Sequence, residues 1–278
     1  MFWLIRPAVK TAVRLLPIAL SMLVGMAIVF LVKLRQEQQT WGVLPSDANR
    51  PLAGDDLIAD PGIVDTRSLV IDAPPSAVWP WLAQLGFGRG GWYSYDRMDM
   101  TGSSADRILP HFQDLAPGDI VPMHPGGGFL AKVVEPQQAL VLYLDHELVR
   151  SQAEAAAAER GAAARAAADD YLPGGLQLAG AMGGLTMPEF RATWSFVLEP
   201  QAEGTRTRLV ERFRVWTADA GMPARMGMPV MGLGVFAMTR KHMLGLKERA
   251  EGLASQPTRA TAMPPAADAM PDPVPAQA

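Results

Sequence analysis

The sequence predicts an α+β domain: a curved antiparallel sheet closed by one long C-terminal helix. Three observations predict it. A strand-like segment near residue 70 runs directly into a short helical one. A series of strand-like segments then follows with turn signals between them. The last patterned stretch is a single long amphipathic helix.

Taken in order, residues 66–72 read as a strand and are stopped by Ala73-Pro74-Pro75. Ser76 is placed to cap a helix whose inward face is Val78, Trp81, Leu82 and Leu85, an i, i+3, i+4, i+7 set. Gly86 and the run Gly88-Arg89-Gly90-Gly91 end it, and a short helix or turn follows over 94–100. Antiparallel strands are expected at 119–123, 129–135, 139–145, 191–199 and 205–216. Pro125-Gly126-Gly127-Gly128, Glu135-Pro136 and Glu203-Gly204 supply turns between them. Trp194, Phe196 and Leu198 alternate with Thr193, Ser195 and Val197, the pattern of a half-buried strand. The final helix, 224–252, carries Phe236, Thr239, Met243, Leu246 and Ala250 along one stripe, with Lys241, Glu248 and Arg249 opposite. One long helix has only the concave face of the sheet against which to bury that stripe, and such an arrangement leaves room for a cavity.

The two ends differ from this middle. Residues 15–32 form an uncharged apolar run flanked by Arg6, Lys10 and Arg14 before and Lys33 and Arg35 after. At about 1.5 Å per residue the run spans roughly 27 Å, close to a bilayer core, and predicts a single transmembrane helix. No small-x-small cleavage site follows it, as a signal peptide would require. The slight excess of basic charge before the run leans toward an extracytoplasmic domain. Residues 253–278 are Pro- and Ala-rich without periodicity and predict a disordered tail. The expected division is therefore 1–40 for the anchor segment, 41–252 for the domain and 253–278 for the tail.

Composition narrows the chemistry. With no cysteine, thiolate nucleophiles, disulfides and iron–sulfur clusters are excluded. A net charge of −3 gives no basic face for nucleic acid. His111, His124, His146 and His242 lack metal-ligand spacing, so no metal is expected. Gly126–Gly128 lacks the Lys-Ser/Thr and helix of a phosphate cradle, no dinucleotide fingerprint is present, and no cofactor is expected.

Several strings together resemble one family. They are 66–75, Val78-Trp79-Pro80-Trp81-Leu82, the run Gly88-Arg89-Gly90-Gly91-Trp92-Tyr93-Ser94-Tyr95-Asp96, Ser104-Ala105-Asp106-Arg107-Ile108, Phe112-Gln113-Asp114-Leu115 and Gly118-Asp119. The chain resembles the SRPBCC proteins, the START and polyketide-cyclase-like superfamily, over most of 41–252. That resemblance implies a helix-grip fold, a sheet gripping the C-terminal helix around a hydrophobic cavity, and it implies no particular reaction. The chain departs from the compact family pattern at 146–189. There an Ala-rich helical stretch (153–170) and a glycine-rich apolar one (176–185) read as an insertion, either a plain surface excursion or a lid.

Candidate ligand-lining residues are Trp81, Trp92, Tyr93, Trp194, Phe236 and Met243. Met222, Met226, Met228, Met231, Met238 and Met243 suit a wall that adapts to variable apolar ligands, or simply fill an irregular core. Tyr93, Tyr95, Asp96, Asp106 and Arg107 are the candidate catalytic groups, since they bring proton donors, acceptors and a cation into one stretch. The same residues equally form turns and a structural ion-pair network. His111, after Pro110, reads as a loop residue and Asp114 as a turn cap. The leading expectation is a membrane-anchored binding or transfer module for a hydrophobic small molecule or lipid. A cyclase- or dehydratase-like enzyme on an apolar substrate and a protein-interaction module docking through the Ala-rich insertion are the alternatives.

Overall fold

A computed structural model describes residues 21–26, 29–44, 47, 50–99, 103–124, 126–160, 189–218 and 221–255. Six strands form one antiparallel sheet: β1 (Ile63–Ile71), β2 (Ile120–His124), β3 (Gly127–Glu135), β4 (Ala139–Asp145), β5 (Phe190–Gln201) and β6 (Arg206–Thr217). Their order across the sheet is β1-β6-β5-β4-β3-β2. Helix α1 (Pro75–Ala83) follows β1, the single turn α2 (Asp96–Asp99) comes next, α3 (His146–Arg160) follows β4, and α4 (Gly221–Ser255) ends the described chain. The fold is α+β, with a curved six-stranded sheet and a C-terminal helix.

Strand register explains where the core lies. Because side chains alternate, Ile71, Leu209, Leu198, Phe196, Leu140 and Leu142 share one face of the sheet. Against that face α1 packs Val78, Trp81 and Leu82, and α4 packs Met243, Leu246 and Ala250, all nearly inaccessible. The predicted α4 stripe is thus the buried one. Arg249, expected on the far side, is only half-buried: its Nε donates to Ala105 O at 2.8 Å and its guanidinium lies over the Tyr93 ring.

The opposite face is covered as well, which the alternation did not anticipate. Thr193 and Ser195 were expected outward and are buried. A strap that includes Asp47 and residues 50–58 covers this face, held by arginines of β6. Arg212 donates to Asp55 Oδ2 at 2.5 Å, to Asp47 O at 2.9 Å and to Arg50 O at 2.8 Å. Arg208 binds the Asp47 carboxylate, and Arg214 donates to Ile58 O at 2.8 Å.

Boundaries differ in small ways. Helix α1 begins at Pro75 with Pro74 at its cap and no side-chain cap, so Ser76 lies inside the first turn instead of capping it. Proline's fixed φ favours that first helical position. The turn into β2 is tied by Asp119, whose carboxylate accepts from Ala116 N at 2.8 Å, and not by Asp114, which is exposed. His111 sits exposed in a 3-10 turn, Pro110–Phe112. Of the expected insertion, 146–160 is α3, and residues 161–188 lie outside the described ones. The tail beyond Ser255 and the side chains of Met222, Met226, Met228 and Met231 also lie outside them.

Among the described residues no helix is long and apolar enough to cross a membrane. Of the run 15–32, residues 21–26 and 29–32 are described. They are helical, the helix continues to residue 40, and the large apolar side chains along 22–32 are 50–66% exposed.

Candidate functional site

Strand register sets a line of charge into the apolar face. Arg67 on β1 stands opposite Glu211 on β6, which stands opposite Phe196 on β5. Two residues along, Asp65, Phe213 and Trp194 form the next row. Arg67 and Glu211 are each 1% exposed. Glu211 accepts from Trp194 Nε1 at 2.6 Å, and its Oε1 is 3.7 Å from Arg67 Nη1. Arg67 is held from three further directions. Its Nη2 donates to Asp65 Oδ2 at 3.0 Å, its Nε donates to Gln38 O at 3.0 Å, and its guanidinium lies 5.6 Å from the Phe236 ring.

His242 closes the cluster from α4. Its Nδ1 lies 2.5 Å from Trp92 O, and since a carbonyl can only accept, Nδ1 carries the proton and Nε2 is left as a bare acceptor. Its ring is 5.6 Å from both Trp194 and Phe196. Burial drives the two titratable groups in opposite directions. It pushes the Glu211 carboxyl up to about 7, with Arg67 and the Trp194 hydrogen bond pulling back. It pushes His242 down to about 4, so the imidazole is neutral at physiological pH. Glu211 Oε2, Arg67 Nη1 and His242 Nε2 are all buried and have no hydrogen-bond partner among the described residues. Leaving such atoms unpaired costs about 1–3 kcal/mol each.

Aromatic rings surround it. Trp92 stacks on Trp194 at 5.4 Å, and Phe129 meets both edge-on. Tyr93 stacks on His242 at 6.3 Å and meets Trp81 edge-on at 5.8 Å. Trp81, Trp92, Tyr93, Trp194, Phe236 and Met243, predicted from the sequence as lining residues, therefore all lie on or beside the concave face under α4. They are not equally enclosed. Trp81, Trp92, Tyr93 and Met243 are buried, while Trp194 and Phe236 are half-buried, as are Ile63, Phe190, Phe213 and Val215. The concave face is thus less covered at the start of β1 and β5, under the first half of α4.

Among the described residues no group of three His, Asp or Glu side chains is arranged to hold a metal ion. No family model matches the chain, and no curated protein matches it. Several solved structures are similar to it. Protein Mll3558 from Rhizobium loti shares 14% identity over 67% of this chain and 96% of its own, with a TM-score of 0.34. A conserved protein from Geobacillus kaustophilus shares 9% over 68% and 96%, with a TM-score of 0.33. Protein MLL2253 from Mesorhizobium loti shares 14% over 67% and 97%, with a TM-score of 0.31. Their names carry no activity, and likenesses this distant carry no argument about function.

The candidate catalytic residues are not brought together. The Tyr93 hydroxyl is buried and donates to Trp81 O at 3.0 Å. Tyr95 is 45% exposed. Asp96 accepts from Ser104 Oγ at 2.5 Å, and Asp106 and Arg107 face solvent. No ion pair joins Asp96, Asp106 and Arg107 among the described residues. The surrounding glycine run is a turn: Arg89 donates to Ala83 O at 2.8 Å at the end of α1, and Gly91 has φ 81° with Ser104 packed where a Cβ would sit.

Arg67, Glu211 and His242 were not picked out by sequence reasoning, although a signal was present. Arg67 is in phase with Leu69 and Ile71, and Glu211 with Leu209 and Phe213, so each is a charge on the apolar parity of its strand. His242 falls three residues after Thr239 on the buried stripe of α4.

Proposed function

We propose that the chain is a membrane-anchored binding module for an amphiphilic small molecule with an apolar body and a hydroxyl-bearing end. On this reading the sheet and α4 form the helix-grip fold of the SRPBCC family. The observation that carries it is that Glu211 Oε2, Arg67 Nη1 and His242 Nε2, one atom of each residue, are buried without a hydrogen-bond partner among the described residues, near Trp92, Trp194, Phe129 and Phe196. An apolar body stacks on the rings while a hydroxyl donates to His242 Nε2 and accepts from Arg67 Nη1. A carboxylate end fits less well, because above pH 7 it meets the ionised Glu211. The exposed apolar helical residues 21–26 and 29–32, followed by Lys33 and Arg35, support tethering to a membrane.

The test is uptake by the full chain in detergent of a fluorescent long-chain alcohol and of the matching fatty acid. Energy transfer from tryptophan is expected with the alcohol, weaker with the acid at pH 8, and weaker for both in Trp194→Phe. No transfer from either probe, together with native mass spectra free of any retained apolar molecule, would overturn the reading.

A second reading has one observation in its favour. Glu211, whose carboxyl is pushed up to about 7, and the neutral His242 both border Trp194 and Phe196, and such groups can carry protons, as a dehydratase or cyclase step requires. On this reading Glu211 and His242, and not Tyr93, Tyr95, Asp96, Asp106 and Arg107, are the proton-carrying groups. Turnover of a bound ligand that disappears in Glu211→Gln while binding persists would establish it.

A further inference from the structure

Tyr93 has φ 54°, in the left-handed region that a tyrosine seldom occupies. The surroundings hold it there: its hydroxyl donates to Trp81 O, and its own carbonyl lies where a Cβ on Gly245 would sit. The peptide unit before it, Trp92–Tyr93, is bonded at both ends. Its carbonyl accepts from His242 Nδ1 at 2.5 Å, and its N–H donates to Ser104 Oγ at 3.1 Å. Ser104 Oγ in turn donates to Asp96 Oδ1 at 2.5 Å. Gly91 lets Ser104 come this close, since a Cβ there would lie 2.9 Å from Ser104 Cα.

The direction of this chain is set at its outer end. A carboxylate only accepts, so the Ser104 hydroxyl commits its one proton to Asp96 and turns a lone pair to the peptide. The peptide must then present its N–H to Ser104 and its C=O to His242. Turned over, the unit would return Tyr93 to ordinary negative φ, but the Trp92 oxygen and Ser104 Oγ, two acceptors, would face each other. The peptide N–H would meet His242 Nδ1, which would have to accept, and the imidazole proton would sit on Nε2. Each bond of the observed chain also polarises the next, in one sense from carboxylate to imidazole.

We propose that Asp96 and Ser104 are positioning residues that fix His242, through the Trp92–Tyr93 peptide unit, in the tautomer with a bare Nε2, and that the site thereby selects ligands whose polar end donates a hydrogen bond. The selection rests on the reading of Glu211, Arg67 and His242 as a ligand site; the tautomer does not. An alcohol and its methyl ether test the selection, because both accept from Arg67 Nη1 and only the alcohol donates to the buried Nε2. Asp96 thus acts on the site without entering it.

Each imidazole nitrogen reads as protonated or bare in the nitrogen NMR spectrum of the full chain in detergent, grown on isotopically labelled histidine. The His242 signals are those lost in His242→Gln. Native His242 is expected to carry its proton wholly on Nδ1, a measurement that needs no variant to fold. In Asp96→Ala the freed Ser104 hydroxyl can donate to a reversed peptide, so a fraction protonated on Nε2 is expected. Asp96→Asn keeps the Oδ1 acceptor and should largely retain the native tautomer. The native chain should take up a fluorescent long-chain alcohol about tenfold or more better than its methyl ether, and Asp96→Ala should lower that preference several-fold. Native His242 protonated on Nε2 would overturn the proposal. So would a proton wholly on Nδ1 in both Asp96→Ala and Ser104→Ala. If the tautomer shifts as expected while the native chain takes up neither probe, the ligand reading falls and with it the selection, and the positioning role stands by itself.

Discussion

With its carboxyl enclosed between Trp194 and Arg67, Glu211 ionises near pH 7 in the fold, against 4.5 for an unperturbed glutamate. Between those values the folded chain holds a proton that the unfolded chain has lost, so stability falls as pH rises from about 4.5 to 7 and is level beyond. His242 acts in the opposite sense. Its folded value, about 4, lies below 6.5, so its contribution is complete above 6.5 and is lost as pH falls toward 4. Glu211→Gln removes only the first of these. The stability of Glu211→Gln relative to the native chain is expected to grow by on the order of 3 kcal/mol from pH 4 to pH 8. Urea unfolding at each pH measures it, and parallel curves would refute the assignment. Arg67→Met should cost about 3–5 kcal/mol at pH 8, because it leaves Glu211 charged and buried without its partner. Adding Glu211→Gln to it should recover part of that loss.

At the scale of single elements, α4 is positioned by one close approach. A Cβ on Gly245 would sit 2.2 Å from Tyr93 O, so the helix lies against the backbone of the turn that carries Trp92, Tyr93 and Ser94. Gly245→Ala is expected to push the two apart and lower stability by about 1–3 kcal/mol or more. Gly234→Ala in the same helix meets nothing within 4 Å and should raise stability by up to about 1 kcal/mol. Thermal unfolding of the two variants should therefore shift in opposite directions. This contrast also marks how much the sequence could tell. Strands β3, β4, β5 and β6 and the stripe on α4 were legible because alternation and helical spacing are properties of neighbouring residues. The strap over the outer face was not, since nothing within residues 42–58 announces Arg208, Arg212 and Arg214, which hold it from far along the chain. Trp81, Trp194, Phe236 and Met243 were legible as apolar side chains on inward positions. The charges among them were passed over because a charged residue on a strand is ordinarily read as its wet face. The stretch 93–107 was weighed as a catalytic cluster because its polar residues are close in sequence, and the turn then directs them to different places.

On the scale of the whole molecule, the N-terminal helix and the domain share a joint inside the expected boundary at residue 41. Gln38 O caps Arg67 from the helix side, and Trp41 O accepts from Ser68 N at 3.0 Å on the domain side. A chain cut to begin at Trp41 keeps the second bond and loses the first. Arg67 Nε, buried, is then left without its acceptor at the point where Arg67 also balances Glu211. A chain cut to begin at Lys33 keeps both. The shorter chain is expected to be less stable by about 1–3 kcal/mol, the cost of one buried charged donor left unpaired. The deficit should shrink in Arg67→Met, where no donor remains to be orphaned. Urea unfolding of the two lengths, each with and without Arg67→Met, isolates that coupling as a double-mutant cycle. Equal losses on truncation in both backgrounds would show that residues 33–40 contribute only generic packing, and that the helix and the buried Arg67–Glu211 cluster are energetically separate.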